Sequence, residues 1–513
     1  MIKNLLGAGN IVREADVVIV GAGTVGLVMS VLLSNRSSLS VICLESGDMH
    51  QEGEEHSLNE VVQEKSIYAG ALSGRFRCIG GTSTRWGGAL IPFLDSDLAN
   101  YNWPITMADL EKYIPEVEKI FSLAEGSYDL DEEICSSYNA THTPRLAKWP
   151  PFKKRNVYNI FNVECNHDKG PEIWINATAT DFYTDSGELK SIVARSHDGS
   201  EIKVSAKKVI LAAGAIETTR MALLIDKQNS NIISKESPSL GKFFSDHLSV
   251  EVAEIEARDL RKLNKIVGFR FEKNGMRNLR FELANKSSAR EEIPPCFAHI
   301  SFTTNGNGGF DALRDVFRAL QKRRSPSIKM FLKIITSLPW FLKALWWRIV
   351  EKRLLFPADA KIMVHMVIEQ VPNAQNRITL SGIKTDSFGK ELSSISWSVT
   401  DQDIDNLTKS VDFFEKMWAD SKLSSLAIFK RHPNGIAEKE LSLGGGIYHP
   451  TGSTRMASTA HEGVVDKDLR IFSLPNVYLV STSVLPNGGG ANPTMMLFLL
   501  GIRCVDNILK SKN

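Results

Sequence analysis

The chain has 513 residues, too many for one compact core, so two or three domains are expected. It is 43% hydrophobic and 23% charged with a formal net charge of +2, an ordinary globular composition that gives no electrostatic basis for a nucleic-acid partner. The six cysteines, Cys43, Cys78, Cys135, Cys165, Cys296 and Cys504, form no C-x-x-C pair and read as reduced, packed thiols rather than disulfides or metal ligands.

Residues 1–15 carry Lys3, Arg13 and Glu14 and have the composition of no signal peptide, so a cytoplasmic location is expected. No run of about 18 uncharged apolar residues predicts a spanning helix. Val17-Val18-Ile19-Val20 reads as a parallel strand buried on both faces. Gly21-Ala22-Gly23-Thr24-Val25-Gly26 follows, then a helix to about Leu33 and a second strand over Val41–Glu45, which makes a βαβ unit. Glycines 21, 23 and 26 suit a tight turn, a close backbone approach to a pyrophosphate and close helix–strand packing. The helix start offers free N–H groups to phosphates. Glu45, nineteen residues after Gly26, stands where an acid binds a ribose diol. The pattern predicts a dinucleotide site and leaves FAD and NAD equally open.

Cys78–Gly88 is rich in small residues and fits either a backbone strip against a planar ring or a simple tight loop. Residues 100–125 read as helical after Trp103-Pro104, with Thr106 as cap and Leu110, Tyr113, Ile114, Val117 and Ile120 on one face. Several strand-like runs over 171–213 end in Lys208–Gly214, a second buried parallel strand. Residues 250–305 and 361–400 alternate and predict an antiparallel sheet with one wet face. Residues 314–353 hold eleven Lys or Arg against Asp315 and Glu351, interspersed with Phe331, Ile334, Ile335, Leu338, Trp340, Phe341, Leu345, Trp346 and Trp347. This composition fits a membrane interface or an anionic partner, and more readily a pair of helices that cover a sheet with their Lys stems along its rim. Pro339 is expected to break or kink the helix. Val477–Val480 reads as the last buried strand, with a C-terminal helix from near Pro493.

His449 sits in Tyr448–Met456, between Gly446 and Gly452, and Asn492 ends Asn487-Gly488-Gly489-Gly490-Ala491-Asn492. Singly, the histidine reads as structural and the asparagine as a helix cap. Together they make chemical sense for an alcohol: a neutral imidazole accepts the hydroxyl proton and an amide holds the same oxygen. The helix start at Pro493-Thr494 adds a positive dipole end.

In this order the segments resemble the glucose-methanol-choline (GMC) oxidoreductase family. Gly21–Glu45 is similar to its ADP-binding fingerprint, Gly80–Gly88 to its second flavin segment, Lys208–Arg220 to its central strand and turn, and Gly241–His247 to the segment that closes the second flavin block. His449 and Asn492 fall where the family keeps its catalytic His and its partner. Ser83–Trp86, Glu369–Leu380 and Gly490–Thr494 look most like pyranose oxidase and related sugar dehydrogenases.

The resemblance implies an α/β fold: a doubly wound, Rossmann-like FAD domain over 1–97, 166–250 and 440–513. An α+β substrate domain with an antiparallel sheet would take 98–165 and 251–439. It implies FAD held by Gly21, Gly23, Gly26, Glu45, Gly81, Thr82, Ser83, Trp86, Gly87, Thr178, Ala213, Gly214, Ser481, Pro493 and Thr494. It also implies oxidation of a sugar or polyol hydroxyl by hydride transfer to the flavin, with oxygen or another carrier as acceptor. An oxidase of hydrophobic alcohols at a membrane and a flavin-bound interaction protein are the alternatives. Three departures stand out. Arg85 replaces the histidine that pyranose oxidase links to its flavin, so FAD is expected to be dissociable. Ser481 stands where many members carry an aspartate. The second family signature around Gly214–Thr219 is only partly kept.

Overall fold

The computed structural model describes residues 1–510 apart from 54, 131–140, 307, 322–324, 326, 358, 434 and 443–445. Cys135, Lys322, Arg323 and Arg324 lie outside the described residues, as does the side chain of Phe331. Val17, Val18 and Ile19 are fully buried and run as the inner half of the strand Asn10–Val20. The strand pairs in parallel with Val41–Leu44 on one side and Glu201–Leu211 on the other. Cover on both faces explains why these strands need no polar alternation. Leu474–Leu479 joins the far side of Glu201–Leu211, and Glu172–Ile175 and Ile2–Asn4 extend the near edge. Thr178–Asp185 and Glu188–Arg195 form an antiparallel flap on the same nine-stranded sheet.

The helices Gly26–Arg36 and Thr494–Lys510 cover this sheet side by side. Their approach is close: a Cβ on Gly501 would sit 2.7 Å from Val25 Cγ2. The helical stretch expected over 100–125 is split into Met107–Glu111 and Ile114–Phe121. Thr106 caps the first, its N–H and hydroxyl both donating to the Asp109 carboxylate at 2.9 Å. Leu110, Tyr113 and Val117 are buried, and Ile114 and Ile120 pack on the same core.

A second, antiparallel sheet of seven strands carries its own core. Met276–Leu283, Cys296–Thr303, Lys361–Glu369 and His247–Ala257 lie in that order, with His142–Trp149 paired to Met276–Leu283. The helix Asp401–Asp420 backs it with Leu407, Val411, Phe414 and Trp418. The expectation that 361–400 belongs wholly to this sheet needs correction. Arg377–Thr385 and Glu391–Ser396 leave it and form a separate three-stranded sheet, in which Val61–Gln63 adds a parallel strand from the N-terminal part of the chain.

The basic segment is built of Gly309–Gln321, Ile328–Thr336 and Leu338–Trp346 with a further turn over Trp347–Glu351. The helix breaks before Pro339, as expected, with Ile328–Thr336 ending three residues upstream. Pro339 occupies the first turn of a new one, where its missing N–H costs no hydrogen bond. Trp347 is buried and Trp340 meets Phe310 edge-on, which anchors the segment to the second core. Leu332, Ile335, Leu338, Leu342, Leu345, Trp346, Ile349 and Val350 are each more than half exposed. No described helix is long and apolar enough to cross a membrane. The five described cysteines are free and buried.

Candidate active site

The sharp turn after Asn10–Val20 begins at Gly21, whose φ of +105° excludes a side chain without strain. A Cβ on Gly26 would stand 2.0 Å from the Gly21 carbonyl oxygen, so helix and turn close only on a glycine. Gly80 donates its N–H to Ala22 O at 2.8 Å, which brings Gly81 against the Gly23 backbone. The two small-residue segments thereby form one strip of backbone.

That strip opens one end of a cavity of about 1180 Å³ that runs between the two large sheets. Gly21, Gly23, Glu45, Gly81, Thr82, Trp86, Gly87, Thr178, Ala213, Gly214, Ser481, Thr494, His449 and Asn492 all line it. Gly26, Ser83 and Pro493 do not line it. Gly26 is shut behind the turn. Ser83 is buried and its hydroxyl spans Gly80 O and Val157 N. The Pro493 carbonyl accepts the Leu497 N–H in the first turn of the C-terminal helix. These three build the wall rather than face the space.

Glu45 is buried, and its two carboxylate oxygens accept the N–H groups of Ala22 and Gly47 at 2.9 Å. Burial pushes its carboxyl up from the usual value. Nearby, Arg77 and Arg220 bond to Glu217 at 2.8 and 2.9 Å, and this pair of cations, with Arg75, holds the buried Glu217 down to about 2 despite its desolvation. Sequence reading did not single out this arginine cluster, which lines the same end of the cavity through Arg75 and Arg77.

At the other end, Asn492 Nδ2 lies 3.2 Å from His449 Nε2. The Asn492 Oδ1 accepts a hydrogen bond from Arg280 Nη1. His449 Nδ1 lies 3.3 Å from His247 Nδ1, and His247 Nε2 lies 2.8 Å from Gly489 O. The ends of this string fix its protons. A guanidinium only donates and a carbonyl only accepts. Asn492 therefore turns its amide NH2 to His449, His449 carries its proton on Nδ1, and His247 carries its own on Nε2. His449 Nε2 is thus unprotonated and accepts from the Asn492 amide, both side chains lining the cavity.

Asp246 holds the backbone of this string. It accepts the N–H groups of His247, Tyr448 and His449 at 2.7, 3.0 and 2.7 Å and the Tyr68 hydroxyl at 2.7 Å. Burial, followed by the nearby His247 and Arg280, holds the His449 imidazole well below the usual histidine range, and burial lowers His247 to about 4. Both rings are neutral at pH 7. Tyr448 takes a φ of +66°, a left-handed backbone that swings the following histidine into the cavity.

The substrate-side wall is a row across three strands. Arg280 pairs with His299, and His299 with His365. The His299 and His365 rings stack with centroids 5.0 Å apart, and His365 Nε2 is 3.3 Å from Glu251 Oε1. The outer wall is apolar, with Phe302, Phe310 and Phe356. No group of three or more His, Cys, Asp or Glu suited to a metal occurs among the described residues.

Residues 372–501 match the family model described as GMC oxidoreductase, the C-terminal domain. A 2-methyl-1,2-propanediol dehydrogenase of Mycolicibacterium austroafricanum is 22% identical over 66% of this chain and 54% of its own length. A paromamine 6'-oxidase of Streptomyces fradiae is 28% identical over 27% of this chain and 23% of its own. The chain thus spans about half the length, or less, of the curated relatives it matches. Among solved structures, pyridoxine 4-oxidase from Mesorbium loti superposes with a TM-score of 0.59 at 13% identity, covering 96% of this chain and 98% of that one. A formate oxidase variant of Aspergillus oryzae RIB40, solved for its FAD modification, superposes at 0.57 and 13% identity over 97% of this chain and 98% of its own. These likenesses establish the fold, a flavoprotein-type α/β domain with a substrate domain.

Proposed function

We infer that the chain is a member of the GMC oxidoreductase family, whose C-terminal model matches residues 372–501, and that it oxidises the CH–OH group of a small polar alcohol, a sugar or other polyol, with dissociable FAD as redox cofactor. The residues present fit that cofactor. Gly23 and Gly214 leave room at the cavity wall that a side chain would fill. Glu45 stands at the ribose position of a βαβ dinucleotide fold, Arg75 and Arg77 lend positive charge to the same end, and Thr494 opens a helix whose N–H groups point at the cavity. FAD supplies a two-electron hydride acceptor when bound. Arg85 lines the cavity and donates to Gln51 O at 2.9 Å, and its guanidinium is no nucleophile for a covalent link.

The observation that carries the reading is the unprotonated Nε2 of His449, 3.2 Å from the Asn492 amide nitrogen that it accepts from. A substrate hydroxyl placed there donates its proton to Nε2, and the Asn492 NH2 donates to the same oxygen. Loss of the proton raises the electron density on oxygen and weakens the neighbouring C–H bond. The partly buried, neutral imidazole holds that proton inside the cavity. The test is His449→Ala: flavin should remain bound, and anaerobic bleaching by substrate should slow by at least ~100-fold. Unchanged bleaching would remove the residue from the chemistry.

A second reading concerns location. The eight apolar side chains exposed along Leu332–Val350, set among Lys333, Lys343 and Arg348, fit docking on an anionic membrane surface. Trp340 of this segment touches Phe310, which lines the cavity, so a bilayer there would face the apolar outer wall and suit a hydrophobic alcohol.

A further inference from the structure

We propose that Arg280 is a specificity residue that pairs with a carboxylate adjacent to the reacting hydroxyl, so that the preferred substrate is a hydroxy acid. The proposal rests on the reading of His449 and Asn492 above. Arg280 is only 5% exposed and lines the cavity. It makes no ion pair among the described residues. Among the described residues its one side-chain hydrogen bond goes to a neutral amide oxygen, Asn492 Oδ1, and its Nε has no hydrogen-bond partner.

The acids around it are spoken for. Glu282, two residues along the same strand, is held by Arg145. Glu251, at the far end of the cross-strand row, is at His365. Arg314, the other cation at this end of the cavity, is paired with Asp311 at 2.9 Å. Behind Arg280 lies the Phe297 ring, 4.6 Å from the guanidinium carbon, and beside it the neutral imidazole of His299. Glu282 acts on Arg280 only through space, without a contact; a buried guanidinium with no direct ion pair is expensive, and an incoming carboxylate relieves that cost through charge-assisted bonds matched to its fork.

Geometry then sets which hydroxyl reacts. Arg280 and His449 both contact Asn492, on its two amide atoms. A carboxylate on Arg280 and a hydroxyl on His449 Nε2 are therefore separated by about one amide group, the spacing of neighbouring carbons in a 2-hydroxy acid. The apolar outer wall offers an anion no competing partner except the paired Arg314.

The experiment is anaerobic bleaching of the flavin in the purified holoenzyme by three probes on one carbon skeleton: glycerate, glycerol and glycerol phosphate. Glycerate should be favoured over glycerol at least ~10-fold in the second-order rate. Arg280→Gln, which removes the charge and the fork, should collapse that ratio, and Arg280→Lys should retain part of it. Acetate, which has no hydroxyl to oxidise, should perturb the flavin absorbance and raise the melting temperature of the wild type but not of Arg280→Gln. Equal rates for glycerate and glycerol, or a ratio kept in Arg280→Gln, overturns the proposal. A preference for glycerol phosphate overturns the carboxylate assignment. An Arg280-dependent acetate signal without bleaching by any probe supports the anion site and defeats the redox reading instead.

Discussion

His247 Nδ1 lies 3.3 Å from His449 Nδ1, and the other nitrogen of His247 is tied to the Gly489 carbonyl. This contact makes His247 a positioning residue: it accepts the Nδ1 proton of His449 and so keeps Nε2 unprotonated toward the cavity. His247→Phe removes the acceptor and lets the other tautomer form. We expect flavin content to be retained and the reduction rate to fall by about 10–100-fold, with the pH profile of reduction displaced. His247→Asn, which can still accept at Oδ1, should recover part of the rate. A phenylalanine variant with the wild-type rate and pH profile would dismiss the role.

Gly26→Ala places a methyl group 2.0 Å from the Gly21 carbonyl oxygen, a contact that no rotamer change relieves. The turn and the helix must part, and the backbone strip shared by Gly23 and Gly81 opens. The variant should be recovered without flavin, or not in soluble form. A ratio of flavin to protein absorbance equal to wild type, with a melting temperature within ~2 °C, would count against this account of the cradle.

Glu369 supports the Gly489 turn through Oε2, which accepts from the Asn487 amide at 2.6 Å and the Gly489 N–H at 2.5 Å. Burial is the main cause that pushes its carboxyl up to about 8 from 4.5. The folded state keeps a proton that the unfolded chain releases between these values. The stability linked to it is full below pH 4.5, declines as pH rises, and is lost above pH 8. Wild type should therefore melt several degrees lower at pH 9 than at pH 6. Glu369→Gln, neutral throughout, should show a smaller drop. Parallel melting curves for the two proteins across that range would refute the assignment.

Trp346 and Leu342 are 59% and 62% exposed, so their replacement by Ser should leave melting unaffected. Wild type should float with vesicles of anionic phospholipid and not with zwitterionic ones, and flotation should fall with added salt. The double variant should stay at the bottom of the gradient. If both proteins stay there, the membrane reading is discarded.

The dinucleotide fold was legible because its signals are local. An apolar run with both faces covered, three glycines and an acid at fixed spacing all lie within 30 residues. The motifs that hold His449 and Asn492 suggested a pair, and the fold sets the two side chains 3.2 Å apart. Arg280 was not legible, although Asn278, Arg280 and Glu282 alternate with Leu279, Phe281 and Leu283. That alternation reads as one wet face of a sheet. In the fold the polar face is buried, because the nine-stranded domain closes over it, and the wet face becomes the wall of the cavity. His247 stood in a recognised segment, yet its role depends on a partner two hundred residues away. The parallel pairing of Val61–Gln63 with Glu391–Ser396 was equally invisible, since three residues carry too little pattern to name a partner.

The strand Glu201–Leu211 is flanked by Asn10–Val20, made early, and by Leu474–Leu479, made late. Glu188–Arg195 pairs the strand's outer edge over Glu201–Ser205, but the Val209–Leu211 end must wait, unpaired, while the second sheet is translated. A nascent chain stalled before the late strand carries an open parallel edge and half a nucleotide cleft. Chaperone capture and proteolytic triage should concentrate on that interval, and cofactor loading should follow synthesis of the late strand.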